Sequence, residues 1–181
     1  MRNKKGVTIS MRKILVVVDM QNDFIDGALG TVEAQNIVAD IDKYVREFDG
    51  DVVFTQDTHF DDYMTTQEGK NLPVKHCIKG SEGWKITDKI YMPANSKVFE
   101  KYTFGSVDLG NFIKLNSNYY DEVYICGVCT DICVISNALL IKAFCPEMPI
   151  KVIERLCAGV TVESHNNAID AMKMCQIEIE V

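Results

Sequence analysis

The chain has 181 residues, 47% of them hydrophobic and 25% charged, a composition that is ordinary for one globular domain. Its net charge of -7 provides no basic surface for nucleic acid or anionic lipid, so we expect neither partner. No apolar run approaches the roughly 20 residues of a membrane-spanning helix. Seven cysteines without a secretion signal indicate reduced thiols and a cytoplasmic location.

The sequence predicts a short extension followed by a single domain. Residues 1–10 are basic but lack the apolar segment of a signal peptide, and we expect them to be a disordered extension. Residues 11–181 contain no linker, internal repeat or low-complexity tract. The GxGxxG and P-loop patterns are also absent, so nucleotide binding has no support.

Predicted strands and helices alternate along the chain. The β-branched run Lys13–Val18 predicts a parallel strand buried on both faces. Apolar residues at helical spacing over 31–48 predict a helix, and a second strand over 51–56 completes a right-handed crossover. Further strands are predicted over 96–100, 122–125, 149–153 and 176–181, and further helices over 105–115, 135–144 and 162–174.

The segment 122–144 predicts a strand, a glycine turn and a helix, and it holds a candidate nucleophile. Thr130 is the predicted N-cap, and Asp131 suits the positive end of the helix. Cys133 then lies in the first helical turn, where the helix dipole lowers the pKa of a thiol. Ligands of open α/β sheets bind beyond the carboxyl ends of strands. On these grounds Cys133 is either a nucleophile or a buried cysteine that packs beneath the helix.

Cys126 and Cys129 form a CxxC pattern, to which Cys133 adds a third thiol. Zinc or iron–sulfur ligation lacks a clear fourth ligand here. A thioredoxin-like motif is disfavoured because Cys126 lies within the predicted strand and not at the start of the helix.

Two charged residues follow predicted strands directly. Asp19 ends the first strand, and a carboxylate in that position is either a helix cap or a catalytic group. Lys101 follows the third strand, where a solvated surface lysine is the simpler interpretation.

A long polar segment, 57–95, interrupts the alternation, and such loops are usually functional or disordered. Asp57 and His59 project from the end of the second strand, and His76 can fold back towards them. Glu68 is a possible fourth donor. A mixed set of imidazoles and carboxylates suits Zn, Fe or Mn better than Ca.

Four motifs, taken together and in this order, resemble the isochorismatase-like cysteine hydrolase superfamily, and within it the nicotinamidases. They occupy residues 17–24, 57–59 with 76–77, 98–101 and 127–134. The match runs from Ile14 to the C-terminal helix, nearly the whole chain. The resemblance implies an α/β fold with three layers, α/β/α, around a six-stranded parallel sheet of order 3-2-1-4-5-6.

The resemblance also implies a catalytic role for each of three residues. Cys133 becomes the nucleophile, Asp19 the general acid and base, and Lys101 the third member of the triad. It further implies a cis peptide between Val128 and Cys129, with the backbone N–H groups of Cys129 and Cys133 forming the oxyanion hole.

One divalent transition metal, Zn, Fe or Mn, is implied in the same way. Asp57, His59 and His76 match metal ligands of nicotinamidases. The fourth ligand varies in that family between His and Glu, and Glu68 is the candidate in this chain.

The resemblance implies hydrolysis of nicotinamide or a related small amide, to the acid and ammonia, through a thioester on Cys133. Nicotinamidases usually carry an aromatic residue before the last metal histidine. Leu72 lies in that segment here, and we expect Leu72 and Phe24 to contact the substrate. The small-molecule amide is the expected partner, and we also expect a homo-oligomer.

Two other functions compete with this one. The missing aromatic favours a metal-independent cysteine amidohydrolase that acts on an N-carbamoyl compound or a ureide, whereas the metal ligands oppose it. A catalytically silent binding protein of the same fold is the other alternative, and the intact set of Asp19, Lys101 and Cys133 argues against it. An isochorismatase proper is disfavoured because that branch lacks the nucleophilic cysteine.

Overall fold

The computed structural model describes residues 11–181, and the expected extension at 1–10 lies outside these residues. A six-stranded, all-parallel sheet of order β3-β2-β1-β4-β5-β6 forms the centre, with helices around it, which confirms the α/β fold and the strand order. The strands are β1 (Lys13–Val18), β2 (Asp51–Asp57), β3 (Val98–Lys101), β4 (Glu122–Val128), β5 (Ile150–Ala158) and β6 (Glu178–Glu180). The helices are α1 (Asn22–Ile25), α2 (Val32–Glu47), α3 (Gln67–Asn71), α4 (Val107–Leu115), α5 (Ile135–Phe144) and α6 (Val162–Met174).

The two central strands, β1 and β4, are buried over almost their whole length because their side chains are apolar on both faces. They pair in register from Lys13 opposite Glu122 to Val18 opposite Gly127. On its other side β1 pairs with β2, so the order in which successive strands are added to the sheet reverses between β1 and β4. The residues that follow these strands therefore meet at the switch point, where open α/β sheets bind ligands.

The predicted elements are present, with differences at their ends. β5 continues to Ala158, five residues beyond its predicted end at 153. The polar segment 57–95 contains a 3₁₀ turn, Tyr63–Thr65, and the short helix α3. Within residues 11–181, no helix is both long and apolar enough to cross a membrane.

The largest local difference lies before α5. Residues Thr130–Val134 form a π-helical turn, and Cys129, not Thr130, occupies the N-cap position. The Thr130 hydroxyl lies 2.8 Å from Nδ1 of His165 in α6, so it is committed to a distant partner and not to a cap. The prediction of Thr130 as N-cap is wrong for this reason.

Candidate active site

Three ionisable side chains meet at the switch point of the sheet. Lys101 places its Nζ 2.7 Å from Asp19 Oδ2 and 3.3 Å from Cys133 Sγ, and all three residues are buried. Asp19 follows β1 with a φ of +48°, a conformation that is uncommon outside glycine and recurs at functional sites. The structure therefore brings together the three residues predicted to be catalytic, and Lys101 is not a surface lysine.

Burial dominates the electrostatics of two members of this trio, Asp19 and Cys133. It raises the pKa of Asp19 above its ordinary value, against the opposing charge of Lys101. It also raises the pKa of the Cys133 thiol well above the ordinary value, although Lys101 acts in the other direction. The expected lowering of the thiol pKa is therefore wrong, because desolvation disfavours the thiolate more than its neighbours favour it. Burial therefore favours the neutral thiol of Cys133 over the thiolate.

Two further residues, which were not predicted from the sequence, form hydrogen bonds with Asp19 and Asp57. Thr55 Oγ1 donates to Asp19 Oδ1 at 2.7 Å and accepts from the Asp19 backbone N–H at 3.2 Å. Gln21 accepts from the Asp57 backbone N–H at 2.7 Å and donates to the Asp57 carbonyl at 2.8 Å. Thr55 could have been found, because residues two apart on a strand share a face and Thr55 precedes Asp57 by two.

A second cluster adjoins the trio through Asp57. Asp57, His59, Glu68 and His76 each offer one donor atom, and these atoms all lie within 4.8 Å of one another. Asp57 belongs to both groups, with Oδ1 2.9 Å from Lys101 Nζ and Oδ2 2.9 Å from His59 Nε2. Burial by itself raises the pKa of Asp57, but the cations around it hold that pKa below its ordinary value.

The two imidazoles of this cluster are arranged as metal ligands are. His76 Nδ1 lies 2.8 Å from the Val74 carbonyl, and its Nε2 lies 3.7 Å from Asp57 Oδ2 and 3.8 Å from Glu68 Oε1. A backbone partner of this kind fixes a ligating ring and leaves the other nitrogen free for the ion. His59 Nε2 is buried and has no hydrogen bond of good geometry among the described residues, despite its short distance to Asp57.

Four donors of this kind, two imidazoles and two carboxylates, suit Zn, Fe or Mn. Burial lowers the pKa of His59, but the carboxylates of Asp57 and Glu68 outweigh it and raise that pKa to about 9. The residues present therefore fit a divalent metal ion, because an ion would engage the buried nitrogen and balance the paired carboxylates.

A cavity of about 290 Å³ opens onto Cys133, close to the lower end of the sizes typical of small-molecule sites. Phe24 and Leu72, the two residues predicted to contact the substrate, both line it. The Phe24 ring lies 5.6 Å from the ring of His76. The other lining residues are Leu29, Thr31, Asp57, Glu68, His76, Phe104, Cys129, Ile132, Cys133 and Val160.

The lining of the cavity combines two kinds of surface. Most of it is apolar, and three members of the second cluster, Asp57, Glu68 and His76, contribute acidic and imidazole groups. Cys129 and Cys133 lie together on the cavity wall, and the peptide between Val128 and Cys129 is cis, as the resemblance implied. Phe104 and Ile132 were not predicted to line the cavity. Ile132 directly precedes Cys133, whereas only the fold brings the segment of Phe104 to the cavity.

Comparison with known proteins agrees with this geometry. Residues 13–180 match the family model described as the isochorismatase domain. A nicotinamidase of Saccharomyces cerevisiae is 31% identical over 173 residues, which cover 70% of this chain and 80% of the relative. Among solved structures, pyrazinamidase of Pyrococcus horikoshii in complex with zinc superimposes with a TM-score of 0.82 at 26% identity, covering 93% of this chain and 98% of the other.

A third similar protein is an N-carbamoylsarcosine amidase of Thermoplasma acidophilum. Its structure matches with a TM-score of 0.75 at 28% identity and covers 94% of this chain and 96% of the other.

The chain therefore belongs to the isochorismatase family. Within that family it is of the nicotinamidase type, and it is a hydrolase that acts on the amide C–N bond of a small molecule.

Proposed function

We propose that the protein hydrolyses nicotinamide, or a closely related ring carboxamide, to the acid and ammonia through a thioester on Cys133. The observation that carries this proposal is the shared ammonium group of Lys101. It lies against Asp19 and Cys133 on one side and against Asp57 of the metal-ligand cluster on the other. The residues proposed for acyl transfer and those that would hold a metal ion thus adjoin within one buried site.

The first half of the reaction is acyl transfer to sulfur. Asp19 takes the proton of the Cys133 thiol as Sγ attacks the amide carbonyl, which forms a C–S bond and an oxyanion. Backbone N–H groups at Cys129 and Cys133 stabilise that oxyanion. The C–N bond then breaks, and Asp19 returns the proton to the leaving nitrogen, so that ammonia departs and the thioester remains.

Hydrolysis of the thioester uses Asp19 in the same way. Asp19 takes a proton from water as the water oxygen attacks the carbonyl, the C–S bond breaks, and Asp19 returns the proton to sulfur, so that the acid departs and the thiol of Cys133 is restored. Lys101 stays charged throughout, because the anionic groups around it raise its pKa well above the ordinary value in spite of burial. Its charge orients Asp19 and offsets the negative charge that develops on sulfur.

Asp57, His59, Glu68 and His76 would hold one divalent ion. When bound, such an ion supplies a Lewis-acid position for a ring nitrogen of the substrate. The zinc in the similar pyrazinamidase structure supports this part of the proposal. Phe24 and Leu72 then contact the faces of the ring within the cavity.

A second candidate is hydrolysis of an N-carbamoyl compound without a metal. The similarity to an N-carbamoylsarcosine amidase favours it, and so does Leu72, an aliphatic residue on the cavity wall. The buried His59 Nε2 favours the metal-dependent reaction instead, because it lies beside two carboxylates without a hydrogen bond of good geometry among the described residues.

Ammonia release from a panel of amides tests the proposal. We expect turnover of nicotinamide and pyrazinamide and loss of that turnover with a chelator, restored by Zn, Fe or Mn. Turnover of N-carbamoylsarcosine that is indifferent to the chelator, with none of nicotinamide, would establish the second candidate in its place.

A further inference from the structure

Asn137 lies in α5, one helical turn after Cys133, and its side chain is completely buried. Its Nδ2 donates to the Cys133 carbonyl at 2.8 Å and to the Phe104 carbonyl at 3.2 Å. Its Oδ1 accepts from the Ser106 backbone N–H at 2.9 Å. Both donors and the acceptor of the amide are therefore engaged. One side chain joins the nucleophile to a different segment of the chain, 102–106.

That segment connects the catalytic lysine with the cavity. It begins directly after Lys101 and ends at Ser106, whose side chain caps α4 by accepting from the Leu109 N–H at 3.2 Å. Phe104 lines the cavity next to Cys133. Tyr102, Thr103 and Phe104 also line an adjoining groove of about 570 Å³. The position of this segment therefore sets one wall of the substrate site.

We propose that Asn137 is a positioning residue with two separable effects, an inference that rests on the proposed function for its kinetic part. Through the Cys133 carbonyl it fixes the turn that carries the nucleophile, and so holds Sγ near Lys101. Through Phe104 and Ser106 it fixes the wall of the cavity. The first effect acts on the chemical step, and the second acts on substrate binding.

Two substitutions separate these effects. Asn137→Thr introduces a hydroxyl that can bond the carbonyl four residues earlier in a helix, but the Thr side chain is too short to reach Phe104 or Ser106. Asn137→Leu keeps a similar volume and loses all three bonds. Asn116→Leu is the matched control, because Asn116 also donates to a carbonyl four residues earlier, Phe112 at 2.8 Å, and does not line the cavity.

Kinetics with nicotinamide provide the first measurement. We expect Asn137→Thr to raise KM about fivefold or more with kcat nearly unchanged, because it loses the bonds to both Phe104 and Ser106 and one lost hydrogen bond already corresponds to about fivefold. Asn137→Leu should in addition lower kcat about tenfold or more, because the nucleophile is no longer held. Asn116→Leu should lower thermal stability and leave both constants unchanged.

Hydrogen exchange at the Ser106 amide provides a measurement that needs no substrate. Both Asn137 variants should exchange faster there than the wild type, and Asn116→Leu should not. Unchanged exchange in Asn137→Thr would overturn the proposed link even if no amide substrate were found. Unchanged kcat and KM in Asn137→Leu, with the same loss of stability as Asn116→Leu, would reduce Asn137 to a structural residue. If Asn137→Leu fails to fold, the KM of Asn137→Thr decides.

Discussion

Replacing Lys101 by methionine removes the charge that two buried carboxylates share. Lys101 Nζ lies 2.7 Å from Asp19 Oδ2 and 2.9 Å from Asp57 Oδ1, and all three side chains are buried. At these distances each attraction amounts to about 6 kcal/mol at an effective dielectric constant of about 20, before desolvation offsets much of it. Removing one partner of such a pair costs about 3–5 kcal/mol, because a buried charge is left alone. We expect Lys101→Met to lose at least that much unfolding free energy.

The matched variants make this expectation specific. Asp19→Asn leaves Lys101 paired with Asp57, so its loss should be clearly smaller than that of Lys101→Met. In Lys101→Met the carboxylates of Asp19 and Asp57 are both left without their cation. The double variant Asp19→Asn/Lys101→Met removes one of these two charges and should be more stable than Lys101→Met by about 1–3 kcal/mol. Urea unfolding of the metal-free protein at neutral pH measures all three. A double variant that loses the sum of the two single losses would refute the shared charge.

The stability of Lys101→Met should depend on pH because of the buried carboxylates. Burial already raises the pKa of Asp19, and without the opposing charge of Lys101 it rises further. A carboxyl group whose folded pKa exceeds its unfolded value costs stability as the pH rises through that interval. The stability deficit of Lys101→Met should therefore be smallest at acidic pH and grow towards neutral pH. A deficit that is constant with pH would contradict this assignment.

Three other predictions concern activity and metal binding. Cys133→Ala should abolish ammonia release while circular dichroism stays native, whereas Cys129→Ala should retain turnover, since only its backbone N–H is assigned a role. Asp19→Asn and Lys101→Met should each lower kcat by about a hundredfold or more, and near-normal rates would remove them from the chemistry. Zinc affinity, measured by chelator competition, should rise as the pH increases from about 6.5 towards 9. The reason is that Asp57 and Glu68 raise the pKa of His59 to about 9, and His59 must lose its proton to bind the ion. A zinc affinity that is independent of pH would contradict this.

The proximity of Asp19 and Cys133 could be predicted from short patterns and sheet topology, whereas Lys101 entered the predicted site only through the family resemblance. β1 and β4 are continuous apolar runs, and each is followed at once by polar residues. Once these strands are parallel neighbours, Asp19 and Cys133 must meet at the same edge of the sheet. His59 follows Asp57 by two residues, which places the two on one side of an extended chain.

The remaining features depend on contacts between distant segments, which no local pattern reports. Threonine is a common N-cap residue, yet the hydroxyl of Thr130 contacts His165 in α6. Asp131 Oδ1 accepts from the Val160 N–H at 3.1 Å, which ties the same π-helical turn to the loop before α6. The raised pKa of Cys133 has a similar origin, because it follows from burial by segments that are remote in sequence.

Trapping the acyl-enzyme tests the central claim most directly. The protein is mixed with nicotinamide, quenched in acid during turnover, and analysed by intact mass and peptide mapping. We expect a nicotinoyl group on Cys133, absent from Cys133→Ala, with no other cysteine modified. Steady ammonia release without an adduct on Cys133, or from Cys133→Ala at the wild-type rate, would contradict a thioester mechanism at this residue.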